Sequence, residues 1–597
     1  MEASYSRSES KIATGYRLVF GYLGIFVIMI GIITLLPLLF LIFYPSEWRC
    51  YASFMVTGFG AILIGAALYF GLIHKMEKGR LGRHQDAVVI VLVWASALLI
   101  GGFPYFLNQF FVNNLTDTVY ITAASAYSYS EGVMENTSGY TTTGLTILKD
   151  FLDSAYTYAS NAGYTGEAAQ AYAQEYIAVN SSHIFLIYRS ITHLFGGVGL
   201  ILIVSSAFKD ASGLRLYNTE GHGDQLLPSM AKTARLILVI YSGYIAFGTL
   251  LLWFFGMDWF DALNHSIAAL ATGGLTTRST SMYFYLNADV SLVNFGMGFT
   301  ADVTSSGVNF TATGLAQVFS PSFNAIGMEV SLCILMLLGS MAFFLHMLLL
   351  SGKIGKVIRD CEVKLVIFMF LIFVPLMMVS IAFNNEYYDE LAVDGVGFWD
   401  CFRYAAFQFV TCLTTTGYSN VRSIVYLGQG ALLISVVVMS VGGGSGSTSG
   451  AMKQYRVAVC LKQIYWDLKY RYMPRNFAYP RTVYYHGEHK KIGEQEYGEA
   501  SFFVILYIGV LVAGGMCLSF LPNMAFQDGI YMFASALSSA GNSTIDFVAY
   551  AANNSAVAYN FLLWILTIGM YLGRLEIIPV YFTLYRFAKD ATRREVA

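Results

Sequence analysis

Charge is what this chain of 597 residues lacks. Asp, Glu, Lys and Arg make up 12% of it and apolar residues 56%, whereas an ordinary soluble domain carries about 25% charged residues. Half the usual charge over such a length points to lipid as the solvent and argues against one very large soluble core. Cysteine is sparse too. The seven (Cys50, Cys333, Cys361, Cys401, Cys412, Cys460, Cys517) are scattered, with no C-x-x-C and no close Cys/His pair, so neither a disulfide framework nor a metal cluster is expected. There is no G-x-G-x-x-G, no soluble nucleotide-binding domain and no clustered nucleophile, which leaves an enzyme without support. The first apolar run is too long for a signal-peptide core and lacks a clear cleavage site. Nothing in the net charge of −2 suggests a nucleic-acid partner.

What is present is a set of ten charge-free apolar runs, at 18–46, 50–74, 87–116, 190–208, 236–257, 330–352, 365–385, 423–452, 500–527 and 547–573. Each is long enough for a spanning helix, which needs about 20 apolar residues. If the spans alternate, 28 of the 35 Lys and Arg fall on one side, in clusters such as Lys75–Arg83, Lys353–Lys364 and the segment 453–491. The positive-inside rule makes that side cytoplasmic and places both termini there.

Repeats decide the architecture. Four segments align without gaps: Thr141–Thr146, Ala271–Thr276, Thr414–Ser419 and Ser538–Ser543. Their glycines, Gly144, Gly274, Gly417 and Gly541, are 130, 143 and 124 residues apart. Each segment follows a span and a short, moderately apolar stretch (roughly 120–139, 258–271, 396–413 and 525–538) and precedes another span. A helix that dips halfway in and returns as extended chain fits these stretches, because irregular backbone at membrane depth is tolerated only beside a protein- or water-lined cavity. Four such loops around one axis make a pore. The expected fold is therefore an all-α polytopic membrane protein. Two N-terminal transmembrane helices (1–84) precede four covalently linked helix–pore loop–helix repeats (85–210, 211–355, 356–465 and 499–597), with a cytoplasmic basic loop at 466–498. The polar outer insertions 150–182 and 283–323 would cap the pore mouth.

The chemistry of the loops suits a desolvated monovalent cation. The candidate filter residues are Thr142, Thr143, Gly144 and Leu145; Thr272, Gly273, Gly274 and Leu275; Thr415, Thr416, Gly417 and Tyr418; and Ser539, Ala540, Gly541 and Asn542. Backbone carbonyls can replace a hydration shell without fixed charge, and the C-terminal dipole of an inward-aimed helix favours a cation. No carboxylate falls within the four segments, which argues against a divalent-cation site and against anions. Nine residues before the glycines stand Glu135, His265, Gln408 and Met532. The first three are expected to brace the filter from behind, as is Arg189.

Two features point to a gate. Gly442 to Gly450 holds five Gly, three Ser and one Thr, a poor helix former in the middle of the eighth run. Gly442, Gly443, Gly444, Gly446, Ser447 and Thr448 are its core. It is no phosphate-binding P-loop, because no Lys follows the glycines in the required place. Arg574 follows 27 charge-free residues, and an intramembrane charge is costly and usually functional. Below a filter it would oppose cations. Glu576 is a conceivable partner, although two positions on a helix do not face each other.

These residues resemble the Trk/Ktr/HKT superfamily of K+ transport proteins, TrkH type, over nearly the whole chain. The match rests on Glu135-x-x-Ser138-Gly139-x-Thr141-Thr142-Thr143-Gly144, on Tyr188-Arg189-Ser190-x-Thr192-His193-x-x-Gly196-Gly197-x-Gly199, and on Phe260-Asp261-Ala262-Leu263-x-His265. It rests also on Gly442-Gly443-x-x-Gly446-Ser447-Thr448-x-Gly450-x-x-Lys453 and Gly573-Arg574-Leu575-Glu576. The resemblance implies K+ as the transported ion, no organic cofactor, a homodimer in lipid with one pore per chain, and a separate cytoplasmic nucleotide-binding ring (TrkA-like). It implies location in the bacterial inner membrane. The basic segment 453–491 would belong to the docking face. In plant relatives a serine at the first filter glycine goes with Na+, so Gly144 favours K+. The fourth loop departs from the family pattern, and Ser449 and Ala451 stand where glycine is expected. The alternatives are a Na+- or H+-coupled symporter, whose halves are usually inverted or parallel repeats, a less selective K+/Na+ pathway, and the pore subunit of a K+-pumping ATPase.

Overall fold

A computed structural model describes residues 2–72, 85–112, 127–147, 182–198, 230–277, 281–283, 285, 299–304, 307–312, 324–384, 397–421, 423–472 and 481–595. The basic connections at Lys75–Arg83 and Lys209–Arg215, the second half of the fourth predicted span and most of the insertion 150–182 lie outside these residues.

The N-terminal hairpin is α1 (Glu2–Leu35), prolonged as a 3₁₀ helix to Ile42, and α2 (Tyr51–Leu72). The two helices lie close because glycines face backbone across the seam. A Cβ on Gly24 would collide with the Gly65 carbonyl, and one on Gly31 with the Gly58 carbonyl. Close backbone approach through small residues is how membrane helices associate when lipid gives no hydrophobic drive.

Four units of the same plan follow. The first holds α3 (Gln85–Gly101), α4 (Phe103–Val112), the short helix α5 (Tyr129–Tyr140) and α6 (His183–Val198). The second holds α7 (Met230–Phe254), the short helix α8 (Trp259–Leu270), an antiparallel hairpin β1 (Phe299–Thr304) and β2 (Gly307–Ala312), and α9 (Ala325–Ser340) with α10 (Phe343–Leu350). After α11 (Ile354–Arg359), the third holds α12 (Cys361–Phe383), the short helix α13 (Phe398–Leu413) and α14 (Gln429–Val441), then α15 (Gln454–Arg471). A second hairpin, β3 (Thr482–Tyr485) and β4 (Glu488–Lys491), leads to the fourth unit: α16 (Glu494–Ser519), the short helix α17 (Phe526–Ser538), α18 (Phe547–Asn553), α19 (Ala556–Arg574) and α20 (Ile578–Glu595).

Among the described residues, seven helices are long and apolar enough to cross a membrane, and the pair α9/α10 makes an eighth if counted as one span. Three predicted spans differ in detail. The run 330–352 is not straight: α9 and α10 meet at 114°, where Met341 is extended. The run 423–452 holds helix only as far as Val441, because the glycine-rich stretch adopts left-handed conformations that end it. The run 547–573 breaks at Asn554 and Ser555, whose hydroxyl caps α19.

Glycines also fix how each unit folds on itself. A Cβ on Gly196 would strike the carbonyl of Tyr140, one on Gly339 that of Leu270, and one on Gly573 that of Leu537. In three units, then, the following helix presses a glycine against the last turn of the short helix. In the third unit the corresponding helix is the broken one.

Candidate functional site: a ring of four loops over a glycine-rich loop

The four short helices end alike. Thr143, Gly273, Thr416 and Ala540 donate their N–H to the carbonyls of Ser138, Ala268, Thr411 and Ser535, at 2.9, 2.8, 2.9 and 2.9 Å. The residues just before them, Thr142, Thr272, Thr415 and Ser539, are left-handed, with φ of 53°, 53°, 54° and 57°. This is a Schellman end, made here with Thr and Ser where glycine is usual. A non-glycine left-handed residue costs about 1–3 kcal/mol unless its surroundings hold it. Hydroxyls help: Thr142 and Thr272 donate to the preceding carbonyl at 2.7 Å, and Thr141–Thr143 and Thr414–Thr416 pair their hydroxyls at 2.7 and 2.8 Å.

The loops then close a ring. A Cβ on Gly144 would overlap the carbonyl of Gly273, one on Gly274 that of Thr416, one on Gly417 that of Ala540, and one on Gly541 that of Thr143. Each glycine thus meets the next loop's carbonyl, and the fourth returns to the first. All four glycines also have positive φ, so two independent constraints require glycine there. On the side where the chains return, a cavity of about 650 Å³ is lined by these glycines and by Thr146, Thr276, Ser419 and Ser543.

Polar braces tie loops to neighbours. Glu135, buried in α5, accepts from Thr146 Oγ1 at 3.0 Å and Ile147 N at 3.0 Å, and pairs with Arg189 Nε at 2.8 Å. Arg189 also donates to the Thr276 carbonyl of the second loop at 3.0 Å. Tyr418 of the third loop donates to the His265 carbonyl in α8 at 3.0 Å. Gln408 donates to Cys412 Sγ and Ser435 Oγ, and Asn542 of the fourth loop reaches the same sulfur at 3.4 Å. Met532, in register with the braces, accepts from Ser543 Oγ at 3.4 Å. Leu145 and Leu275 are both buried, Leu145 within the main apolar cluster.

Beneath the ring lies the glycine-rich loop. Thr448 Oγ1 donates to the Gly339 carbonyl at 3.0 Å and lies 3.0 Å from Thr272 Oγ1. Ser449 Oγ donates to the Thr414 carbonyl at 2.9 Å, and Gly450 N to Thr415 Oγ1 at 3.1 Å. Gly450 also packs on the Ser538 carbonyl. The loop thereby touches the ends of the short helices of units two, three and four, satisfying carbonyls that a helix end leaves open. The Gly444 amide bonds the Ser340 carbonyl at the α9/α10 break at 2.9 Å. Ser447 Oγ closes back on the Gly444 carbonyl at 2.6 Å. Gly442 and Gly446 have positive φ, as has Ala451 at 68°, where glycine was expected. Gln454 pins the base of the loop through the carbonyls of Gly442 and Gly443.

Arg574 ties this loop to the first unit. It donates to the Thr448 carbonyl at 2.8 Å and to the carbonyls of Gly196 and Gly197 in α6, and lies 5.5 Å from the Trp94 ring centroid. The Glu576 carboxylate, just past the end of α19 at Arg574, pairs with Arg456 at 2.6 Å. Sequence reasoning missed Glu362, which accepts from Ser445 N at 2.8 Å, and the cluster in which Glu329 binds Arg403 at 3.3 Å and Asn420 at 2.7 Å. For Glu329, a lone carboxylate at the edge of an apolar run was the available signal; Glu362 sits among Arg359, Asp360 and Lys364, where sequence marks nothing.

The family model described as "TrkH: Cation transport protein" matches residues 316–590. The chain is similar to the Trk system potassium uptake protein TrkH of Escherichia coli, 26% identical over 577 residues, covering 95% of this chain and 97% of that protein. It is also similar to the TrkH of Halomonas elongata, 23% identical, covering 94% of this chain and 97% of that one. The crystal structure of the potassium transporter TrkH from Vibrio parahaemolyticus superposes with a TM-score of 0.66 at 20% identity, over 95% of this chain and 98% of that chain. The chain is a multi-pass membrane protein with the fold of a transporter, similar over nearly its whole length to TrkH potassium uptake proteins and matched over 316–590 by the TrkH family model.

Proposed function

We propose that the chain takes up K+ through the ring of four loops, with the glycine-rich loop and Arg574 as its gate. The observation that carries this reading is the closed contact of Gly144, Gly274, Gly417 and Gly541 with successive carbonyls. Four carbonyl-bearing loops at one axis offer oxygen ligands without fixed charge. The names of the relatives in Escherichia coli and Halomonas elongata support K+ as the ion. The loop blocks the path from the cytoplasmic side, and the Arg574 charge under the ring opposes cation passage. The domain limits follow the four units. The same relationship supports a homodimer in the bacterial inner membrane with a TrkA-like ring on the cytoplasmic side, and the distribution of basic residues supports both termini facing that side.

The test is 86Rb+ uptake into liposomes holding the purified chain and trapped K+, with K+, Na+ and Li+ as competitors and Gly144→Ser as the matched variant. K+ and Rb+ should compete well and Na+ poorly, with the preference lost in the variant. Equal competition by Na+ in the parent would replace this reading with a general monovalent-cation pathway.

A further inference from the structure

We propose that Asp360 and Glu362 form a latch through which the β3–β4 hairpin holds the glycine-rich loop in place; the inference rests on the reading of that loop as the gate. The two carboxylates stand at the start of α12 and are both buried, at 0% and 1% exposure. They serve different masters. Asp360 Oδ2 accepts the backbone N–H of His486 at 2.8 Å, at the tip of the hairpin. Glu362 Oε1 accepts the backbone N–H of Ser445 at 2.8 Å, inside the loop. Asp360 Oδ1 joins the two by capping the Glu362 amide at 3.0 Å.

The fit at each end is specific. His486 and Gly487 both have positive φ, 51° and 84°, and bridge the paired residues Tyr485 and Glu488, which makes a type I′ turn. Here the first turn amide is aimed at a buried carboxylate. The His486 ring is stacked between Tyr485, at 3.7 Å, and Phe344 of α10, at 4.6 Å. At the other end a Cβ on Gly444 would lie 2.7 Å from Glu362 Oε2, so a side chain there would push the carboxylate off its seat against the loop. The Gly444 amide is meanwhile held by the Ser340 carbonyl at the α9/α10 break. The hairpin tip therefore touches the helix that follows the break and is held by Asp360, while Glu362, whose amide Asp360 caps, holds the loop that fills the break. Lifting the hairpin removes the donor from Asp360, loosens the first turn of α12, and frees Glu362 from Ser445. Val483 and Ile492 seat the hairpin on Trp466 and Val459 of α15 and on Cys361 beside Asp360, in a small cluster apart from the main core, so the hairpin and the start of α12 are packed together.

The experiment is the 86Rb+ assay on the full chain with a double-substitution cycle. Asp360→Ala and Ser445→Pro each remove one joint of the latch, and Ser445→Pro leaves both carboxylates untouched. Each should raise uptake about tenfold, the change a loss of 1.4 kcal/mol from the closed state gives. The pair together should raise it no further than either alone, because residues in one network do not add. Additive increases, or no increase while deletion of Gly442 to Gly450 does increase uptake, would overturn the latch and leave the gate reading standing. No increase even on deleting the loop would overturn the gate reading itself. Should Asp360→Ala fail to yield monodisperse protein, Ser445→Pro combined with replacement of the His486–Gly487 turn by a longer glycine linker carries the same cycle.

Discussion

Glu135 and Arg189 meet at 2.8 Å behind the first loop, with side chains 0% and 3% exposed. Through them α5, the returning strand at Thr146 and the second loop at Thr276 become one rigid body. A buried pair of this kind is worth little against an apolar replacement, but removing one partner strands a charge at a cost of about 3–5 kcal/mol. Glu135→Ala should lower the detergent-solubilised thermal midpoint markedly and abolish discrimination between Rb+ and Na+, whereas Glu135→Ala with Arg189→Met should regain most of the midpoint without regaining discrimination. A midpoint unchanged in the single variant would show that the pair braces nothing.

Arg574 bonds the Thr448 carbonyl and two carbonyls of α6. Hydrogen bonds from a charged group contribute about 1.5–3 kcal/mol each. Arg574→Ala should therefore release the loop, and the rate of 86Rb+ uptake by the chain alone should rise by at least tenfold. Lys at this position supplies the charge but not the fork, so Arg574→Lys should fall between the two. A lysine variant as leaky as alanine would mean that the geometry, and not the charge, does the closing.

Ala451 is left-handed at φ 68°, in a loop where glycine costs nothing. Ala451→Gly should relieve strain of about 1 kcal/mol, raising the thermal midpoint slightly or at least not lowering it. A clear loss of stability would show that the methyl packs productively in spite of its backbone.

Gly274 has no room for a Cβ, which would overlap the Thr416 carbonyl. Gly274→Ala should remove ion selectivity and most uptake, and Gly60→Ala, at a site with nothing within 4 Å, should leave both unchanged. Equal behaviour of the two variants would remove the ring from the account.

Tyr418→Phe removes one bond, from the third loop to the His265 carbonyl at 3.0 Å. The expected loss is about 1 kcal/mol of stability, with the Rb+/Na+ competition ratio reduced but not lost. Because the ring packs against buried surroundings, a larger effect would indicate that the hydroxyl supports the loop geometry more broadly.

The amino-acid sequence by itself determined the solvent, the four-fold plan and the positions of the four glycines. Those are properties of composition and local chain: scarce charge, apolar runs of spanning length, and a Ser/Thr/Gly signature recurring after a short helix. It also marked the break after Val441, because glycine and serine in a run do not sustain a helix. Tertiary structure alone decided who touches whom. That each glycine seats on the next loop's carbonyl, that Arg574 serves the Thr448 carbonyl while Glu576 pairs with Arg456, and that α9 turns by 114° to admit the loop depend on contacts between residues more than a hundred positions apart. Local pattern carries no record of such contacts. They are fixed only when the helices pack and every buried amide, carbonyl and charge must find its partner.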